Sequence, residues 1–150
     1  MDSLKSSSPV PFEVELKHVK TYLSLEKMRF DDKLDISYEI GTQEFMIPPL
    51  TLQPLVENAV KHGIAKAVNG GTVWIRTKES EDGYEITVLD NGVGYNEEEQ
   101  KADGHNHVGI ENVKRRIKEI SGGSVQIISE KGSGTKSSIY LPKHKKITQI

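Results

Sequence analysis

The stretch TLQPLVENAVKHG, residues 51–63, decides how the rest of the chain is read. Leu52, Leu55, Val56, Ala59 and Val60 follow the i, i+3, i+4, i+7, i+8 series of a helix that buries one face. Thr51 is a residue type that caps a helix. Pro54 falls in the first turn, where backbone donors are unpaired anyway, and Gly63 is placed to end the element. On a wheel of roughly 100° per residue, Glu57, Asn58, Lys61 and His62 share one arc, almost opposite the apolar set. Any amphipathic helix turns a polar face to solvent, so this arc alone leaves two readings open, a solvated face or a site.

Outward from this helix the chain divides cleanly. Phe12 to about Phe30 is expected to be helical, with Leu16, Val19, Leu23 and Met28 recurring at roughly helical intervals and Pro11 suited to the first turn. KLDISYEI, residues 33–40, alternates as a half-buried strand does, and IPPL, 47–50, is expected to stop any regular element. TVWIRTKE, 72–79, and YEITVLD, 84–90, are strands joined by the turn-like SEDG, a hairpin. A polar stretch follows from about Asn91 to Val108, too long for a tight connection. Ile110, Val113, Ile117 and Ile120 then form a helical stripe ending at Gly122-Gly123, and SVQIIS, 124–129, and TKSSIYL, 135–141, are strands joined by EKGSG. This irregular order of helices and strands favours α+β over a doubly wound parallel sheet.

Composition sets the bounds. The 150 residues suit one domain, and 35% hydrophobic with 28% charged residues is ordinary globular composition. A formal net charge of -2 supplies no field to recruit nucleic acid. No cysteine is present, so disulfides and thiolate metal ligation are excluded, as a reducing compartment would suit. The apolar runs fall well short of the roughly 20 residues that cross a bilayer. Residues 1–11, Ser- and Pro-rich, read as a linker or leader, residues 12–142 as the domain, and 143–150 as a basic tail.

Asp90 has the strand parity of Tyr84, Ile86 and Val88, the inward set, and an inward carboxylate needs donors. It opens DNGVG, whose Gly92 and Gly94 allow close approach to the backbone, although a strand-ending turn uses the same residues. HVGIENV, 107–113, places Gly109 at the start of a helix, where free N–H groups favour an anion. KGSGT, 131–135, puts Gly132 and Gly134 before a strand. No P-loop, dinucleotide fingerprint or protein-kinase loop set occurs.

ENAVKHG, DNGVG, VGIEN and GSGT, in that order and spacing, resemble the N, G1, G2 and G3 boxes of the GHKL or Bergerat-fold ATPases, a superfamily that includes sensor histidine kinases, gyrase, Hsp90 and MutL. The match covers about residues 48–142. The preceding ELKHVKTYLSLEKMRFDDKLDISYEI, 15–40, and PPLTLQPLVENAVKHG, 48–63, are similar to the LytS/YesM-like group of two-component sensor kinases. The resemblance implies a two-layer α/β sandwich, a mixed sheet with helices on one face and a flexible ATP lid, with ATP and Mg²⁺ as ligands. By that resemblance Asn58 holds Mg²⁺ through its side-chain oxygen, Glu57 acts as general base or orients the acceptor, Lys61 neutralises phosphate charge and His62 lies against the nucleotide. Asp90 accepts from the adenine amino group, with Gly92 and Gly94 admitting base and lid. The lid runs from about Tyr95 to Val108, Gly109 with Ile110 and Asn112 of the helix start receives the phosphates, and Thr135 after Gly132 and Gly134 completes the adenine pocket. In the Gly-x-Gly of the G2 box His107 stands first, a departure that bears on the lid hinge, and His105 with His107 forms a His-x-His pair that lacks a third ligand.

The function so implied is that of an ATP-binding catalytic domain whose phosphoacceptor histidine lies outside this chain, since the context of His18 does not match an acceptor motif. Its partners are that acceptor domain and a response regulator, on the cytoplasmic side, with membrane anchoring of the intact protein left open. The intact kinase is expected to be a dimer and this portion alone a monomer. The alternatives are a serine kinase of the anti-sigma-factor type and a degenerate ATP-binding interaction module; the upstream helix argues against the first and intact Glu57 and Asn58 against the second.

Overall fold

The computed structural model describes residues 8–96 and 105–143, with the backbone only at 105–108. In chain order these form β1 (Val10–Pro11), α1 (Phe12–Phe30), β2 (Leu34–Ile40), β3 (Met46–Ile47), α2 (Leu52–Asn58) prolonged by a π-helical turn (Ala59–Ile64), β4 (Gly71–Glu79), β5 (Gly83–Asp90), α3 (His105–Arg116) prolonged by a second π-helical turn (Ile117–Ser121), β6 (Ser124–Glu130) and β7 (Gly134–Pro142). A five-stranded sheet has the order β2-β4-β5-β7-β6. β2 runs parallel to β4 and the other pairs are antiparallel. The mixed sheet with helices over one face is the α+β sandwich expected.

Alternation drives the layering. Val73 and Ile75 of β4, Ile86 and Val88 of β5, and Ile139 and Leu141 of β7 point to one side of the sheet. They meet Leu16, Val19 and Leu23 of α1, Leu52, Leu55, Val56 and Val60 of α2, and Ile110, Val113 and Ile117 of α3 in a single core. The apolar arc of α2 is buried along its whole length, which leaves Glu57, Asn58, Lys61 and His62 to the opposite side. Among the described residues no helix is long and apolar enough to cross a membrane.

Three local expectations are corrected. The start of α2 is not capped by Thr51, whose hydroxyl donates to the carbonyl of Pro48 at 2.6 Å. The buried carboxylate of Glu15, on α1, caps it instead, accepting from the backbone N–H groups of Leu50 (2.9 Å), Thr51 (3.1 Å) and Leu52 (3.0 Å). Gly63 does not end the helix; the π-helical turn carries it on to Ile64, with Ala65 N–H donating to Val60 C=O at 2.8 Å. Val10 and Pro11, read as leader, pair with Met46 and Ile47, so the first residue of IPPL still belongs to a strand, and Phe12 N–H donates to Phe45 C=O at 2.9 Å. Stacking of Phe12 on Phe45, and of Phe45 on Tyr84, with ring centroids 4.7 and 4.6 Å apart, closes that end of the core.

Candidate functional site

Because the apolar stripe of α2 is committed to the core, its polar arc forms the wall of an open cleft of about 180 Å³, lined by Pro54, Glu57, Asn58, Lys61, His62, Gly109 and Ile110. Six of the residues singled out from sequence therefore meet in one place. Glu57 and Asn58 are half-buried, and Gln53 Nε2 donates to Glu57 Oε2 at 2.8 Å, holding that carboxylate from one turn earlier. Gly109 is not at a helix start. It is the fifth residue of α3, and HNHV ahead of it contains no Gly or Pro to stop the helix. Its contribution is space: a Cβ built there would meet nothing within 4 Å. Asn112 does not line this cleft. It lines the adjoining groove, and its Oδ1 accepts from Arg115 Nη2 at 2.8 Å.

A second cluster surrounds Asp90. Its side chain is 3% exposed, and Oδ1 accepts from the N–H of Gly92 at 2.9 Å. Burial pushes the carboxyl up to about 6, against the backbone hydrogen bonds from Gly92 and Thr135 that favour its charged form. Three glycines build this niche by lacking side chains. A Cβ on Gly63 would lie 2.5 Å from Asp90 Oδ1, one on Gly92 would lie 2.2 Å from the carbonyl carbon of Gly63, and one on Gly134 would strike the carbonyl oxygen of Asp90. Gly94, at φ 63°, packs against the carbonyl of Glu130, and Gly132 N–H donates to Val93 C=O at 2.6 Å, so the loop after β5 is seated on the β6–β7 turn. Thr135 Oγ1 and Ser129 Oγ are 2.8 Å apart, and Ser129 Oγ accepts from Tyr95 N–H at 2.9 Å.

The π-helical turn joins the two clusters. Widening the helix after Asn58 presents Lys61 and His62 to the cleft while Gly63, the next residue, abuts Asp90, and Val93 N–H donates to Gly63 C=O at 3.3 Å. Gly63 looks like no more than a helix end in the sequence, and no local pattern there marks Glu15 or Ser129, whose partners lie far along the chain or across a turn. The expected lid from Tyr95 to Val108 lies mostly outside the described residues, as do the side chains of His105 and His107 and the basic tail after Lys143. The donor set in the cleft is one amide oxygen beside one carboxylate. Among the described residues no group of three or more His, Cys, Asp or Glu converges. Such a set fits a hard cation that arrives already chelated by a triphosphate rather than one caged by protein alone.

A two-layer α+β domain with an amide-bearing helix beside a glycine-lined buried carboxylate has the architecture of an ATPase of the Bergerat type. The model of the histidine kinase-, DNA gyrase B-, and HSP90-like ATPase family matches residues 49–145, and the chain belongs to that family. It is 38% identical over 148 residues to the putative uncharacterized protein YwpD of Bacillus subtilis, covering 93% of this chain and 52% of that protein. It is 30% identical over 152 residues to the sensor protein LytS of Oceanobacillus iheyensis, covering 93% of this chain and 26% of that protein. The chain thus spans between a quarter and about half the length of these relatives. The fold is also that of the histidine kinase ThkA, solved in complex with the response regulator protein TrrA, at a TM-score of 0.66 and 13% identity over 92% of this chain and 42% of that one.

Proposed function

We propose that this chain is the ATP-binding catalytic domain of a two-component sensor histidine kinase, transferring the γ-phosphoryl of MgATP to a histidine carried outside residues 1–150. The observation that supports this best is the juxtaposition, through Gly63, of the Glu57–Asn58 cleft and the buried Asp90 niche. Asp90 takes the adenine, accepting from its exocyclic amino group, and Gly92, Gly94, Gly132, Gly134 and Thr135 shape the walls around the ring. Lys61, His62, Gly109 and Ile110 border the phosphates, and Asn58 offers its side-chain oxygen to Mg²⁺. When bound, that ion neutralises charge on the transferring group.

Glu57, held by Gln53, stands where the acceptor approaches. The acceptor imidazole attacks the γ-phosphorus with its unprotonated nitrogen. A phosphorus–nitrogen bond forms as the bond from that phosphorus to the β–γ bridging oxygen breaks, ADP leaves, and the proton given up by the imidazole is accepted at the Glu57 carboxylate. From the histidine the phosphoryl passes to an aspartate of a response regulator, a pairing that the ThkA–TrrA complex supports by analogy of fold. The intact kinase is a dimer, and this domain works on the cytoplasmic side, where ATP is available.

Calorimetric titration of the chain with ATP tests the nucleotide half of the reading. Binding is expected to strengthen with Mg²⁺, and Asn58→Ala removes the Mg²⁺-dependent part; affinity that ignores Mg²⁺ counts against it. Acid lability of the phosphoryl group on the acceptor tests the other half, since a phosphoimidazole hydrolyses in acid and a phosphoserine survives. Glu57→Gln retains MgATP binding and loses transfer.

A further inference from the structure

The five-stranded sheet ends in two edge strands, β2 and β6, and among the described residues no strand lies beside the outer side of either. An open edge is a template for a further strand unless charge, proline or a bulge guards it. β2 is guarded. Asp35 and Glu39 stand on it, Lys27 Nζ donates to the carbonyl of Leu34 at 2.6 Å, and the same ammonium lies 3.6 Å from Asp35. β6 has no such guard. It reads SVQIISE, pairs with β7 without a bulge from Ser124 to Glu130, and carries no proline, no lysine and a single charge, at its last residue.

Apolar surface is left along the same edge. Val125 and Ile127 face the core yet are only half-buried, and Ile128, on the opposite face of the sheet, is 56% exposed. An uncharged, β-branched edge with apolar side chains uncovered on both faces is built to be paired rather than to stand in water.

We propose that the free edge of β6 pairs with β6 of a second copy of this chain, joining two five-stranded sheets into one of ten strands. Symmetry and pleat fix how. Keeping the helical layers of both copies on one side of the joined sheet requires a two-fold axis perpendicular to it, and that axis makes the paired strands antiparallel. Core-facing residues must then oppose core-facing residues, so the axis falls on a residue rather than between two. An axis at Gln126 sets Val125 against Ile127 of the other copy, and Ile127 against its Val125, so all four half-buried side chains meet in β-branched pairs. On the outer face it brings the two Gln126 amides together and sets each Ile128 against Ser124, while Glu130 opposes Gly122 and meets no like charge. An axis at Val125 or at Ile127 instead opposes the remaining apolar side chains to Gly123 or to Ser129. The strand is thus complementary to itself, which selects a second copy as the occupant. This inference does not depend on the proposed function.

The test uses this 150-residue chain, which has no cysteine of its own. Sedimentation over a roughly hundredfold range of concentration is expected to show monomer passing to dimer by mass action. Gln126→Glu spares the monomer, since its neighbour on β7 is Ser138, but opposes two carboxylates at the axis. It is expected to weaken association about fivefold at an unchanged Tm in dilute solution. Gln126→Cys is expected to form a disulfide-linked dimer on mild oxidation. Ile128→Cys, also exposed but about 14 Å from its counterpart in this register, is not. A chain that stays monomeric throughout the range overturns the inference. So does a dimer that Gln126→Glu leaves equally strong, or one in which Ile128→Cys cross-links as readily as Gln126→Cys, because either result places the contact elsewhere. The cross-linking comparison still decides between these outcomes if Gln126→Glu fails to fold. Nucleotide binding enters none of these measurements, so the proposed function stands or falls separately.

Discussion

Replacement of Asp90 by Asn separates what this buried carboxylate costs the fold from what it contributes to binding. The side chain is almost wholly enclosed, and its pKa is raised from 3.8 to about 6. A carboxyl whose folded pKa lies above its unfolded one favours the folded state while protonated. Its contribution is therefore full below about pH 4 and is lost as pH rises through about 6. Asparagine is nearly isosteric, still accepts from the N–H of Gly92 and carries no charge at any pH. A difference of about 2 pKa units at about 1.4 kcal/mol each gives an upper limit near 3 kcal/mol for the change in the stability gap between Asp90→Asn and wild type from pH 4 to pH 8. Spread over a chain of this size, that is a shift of about 6–12 °C in relative Tm. Thermal or urea unfolding of both proteins at half-unit pH intervals measures it. Nucleotide titration over the same range is expected to show wild-type ATP affinity falling about tenfold per unit below pH 6 and the variant weak throughout. A stability gap that stays constant from pH 4 to pH 8 refutes the account of Asp90, and ATP affinity unaffected by the substitution refutes its assignment to the adenine.

Glu15→Ala removes the cap of α2 and strands three N–H groups, two of them buried, so urea denaturation is expected to show a loss of about 3 kcal/mol, more than a surface cap of threonine type would cost. Gly63→Ala forces a methyl to within 2.5 Å of Asp90 Oδ1; stability falls by about 1–3 kcal/mol and nucleotide affinity with it, both readable in one thermal-shift series with and without MgATP. Tyr22→Phe is expected to be neutral or to stabilise by up to about 1 kcal/mol, because the buried hydroxyl has no hydrogen-bond partner among the described residues and burial, with the carboxylates of Glu26 and Glu57 nearby, already holds its pKa up at about 12. A clear loss of stability in that variant shows a partner for the hydroxyl in solution.

Much of this protein was legible in one dimension because its signals are local. Apolar spacing along residues 52–60 settles which side of α2 is buried, and so which side carries Glu57, Asn58, Lys61 and His62. Alternation along β5 settles that Asp90 points inward. What escaped sequence reading depends on contacts between residues far apart in the chain. Thr51 has the right chemistry and position for a cap, but a carboxylate from 36 residues upstream is buried against the same N–H groups and displaces it. Gly63 resembles an ordinary helix end until the π-helical turn carries it against Asp90, where any side chain would collide. Gly109 was legible as a glycine near a helix but not as one inside it. The periodic pattern of an amphipathic element thus determined the faces, whereas only folding in three dimensions decided what each face meets, since hydrogen bonds and steric exclusion act across space without regard to separation along the chain.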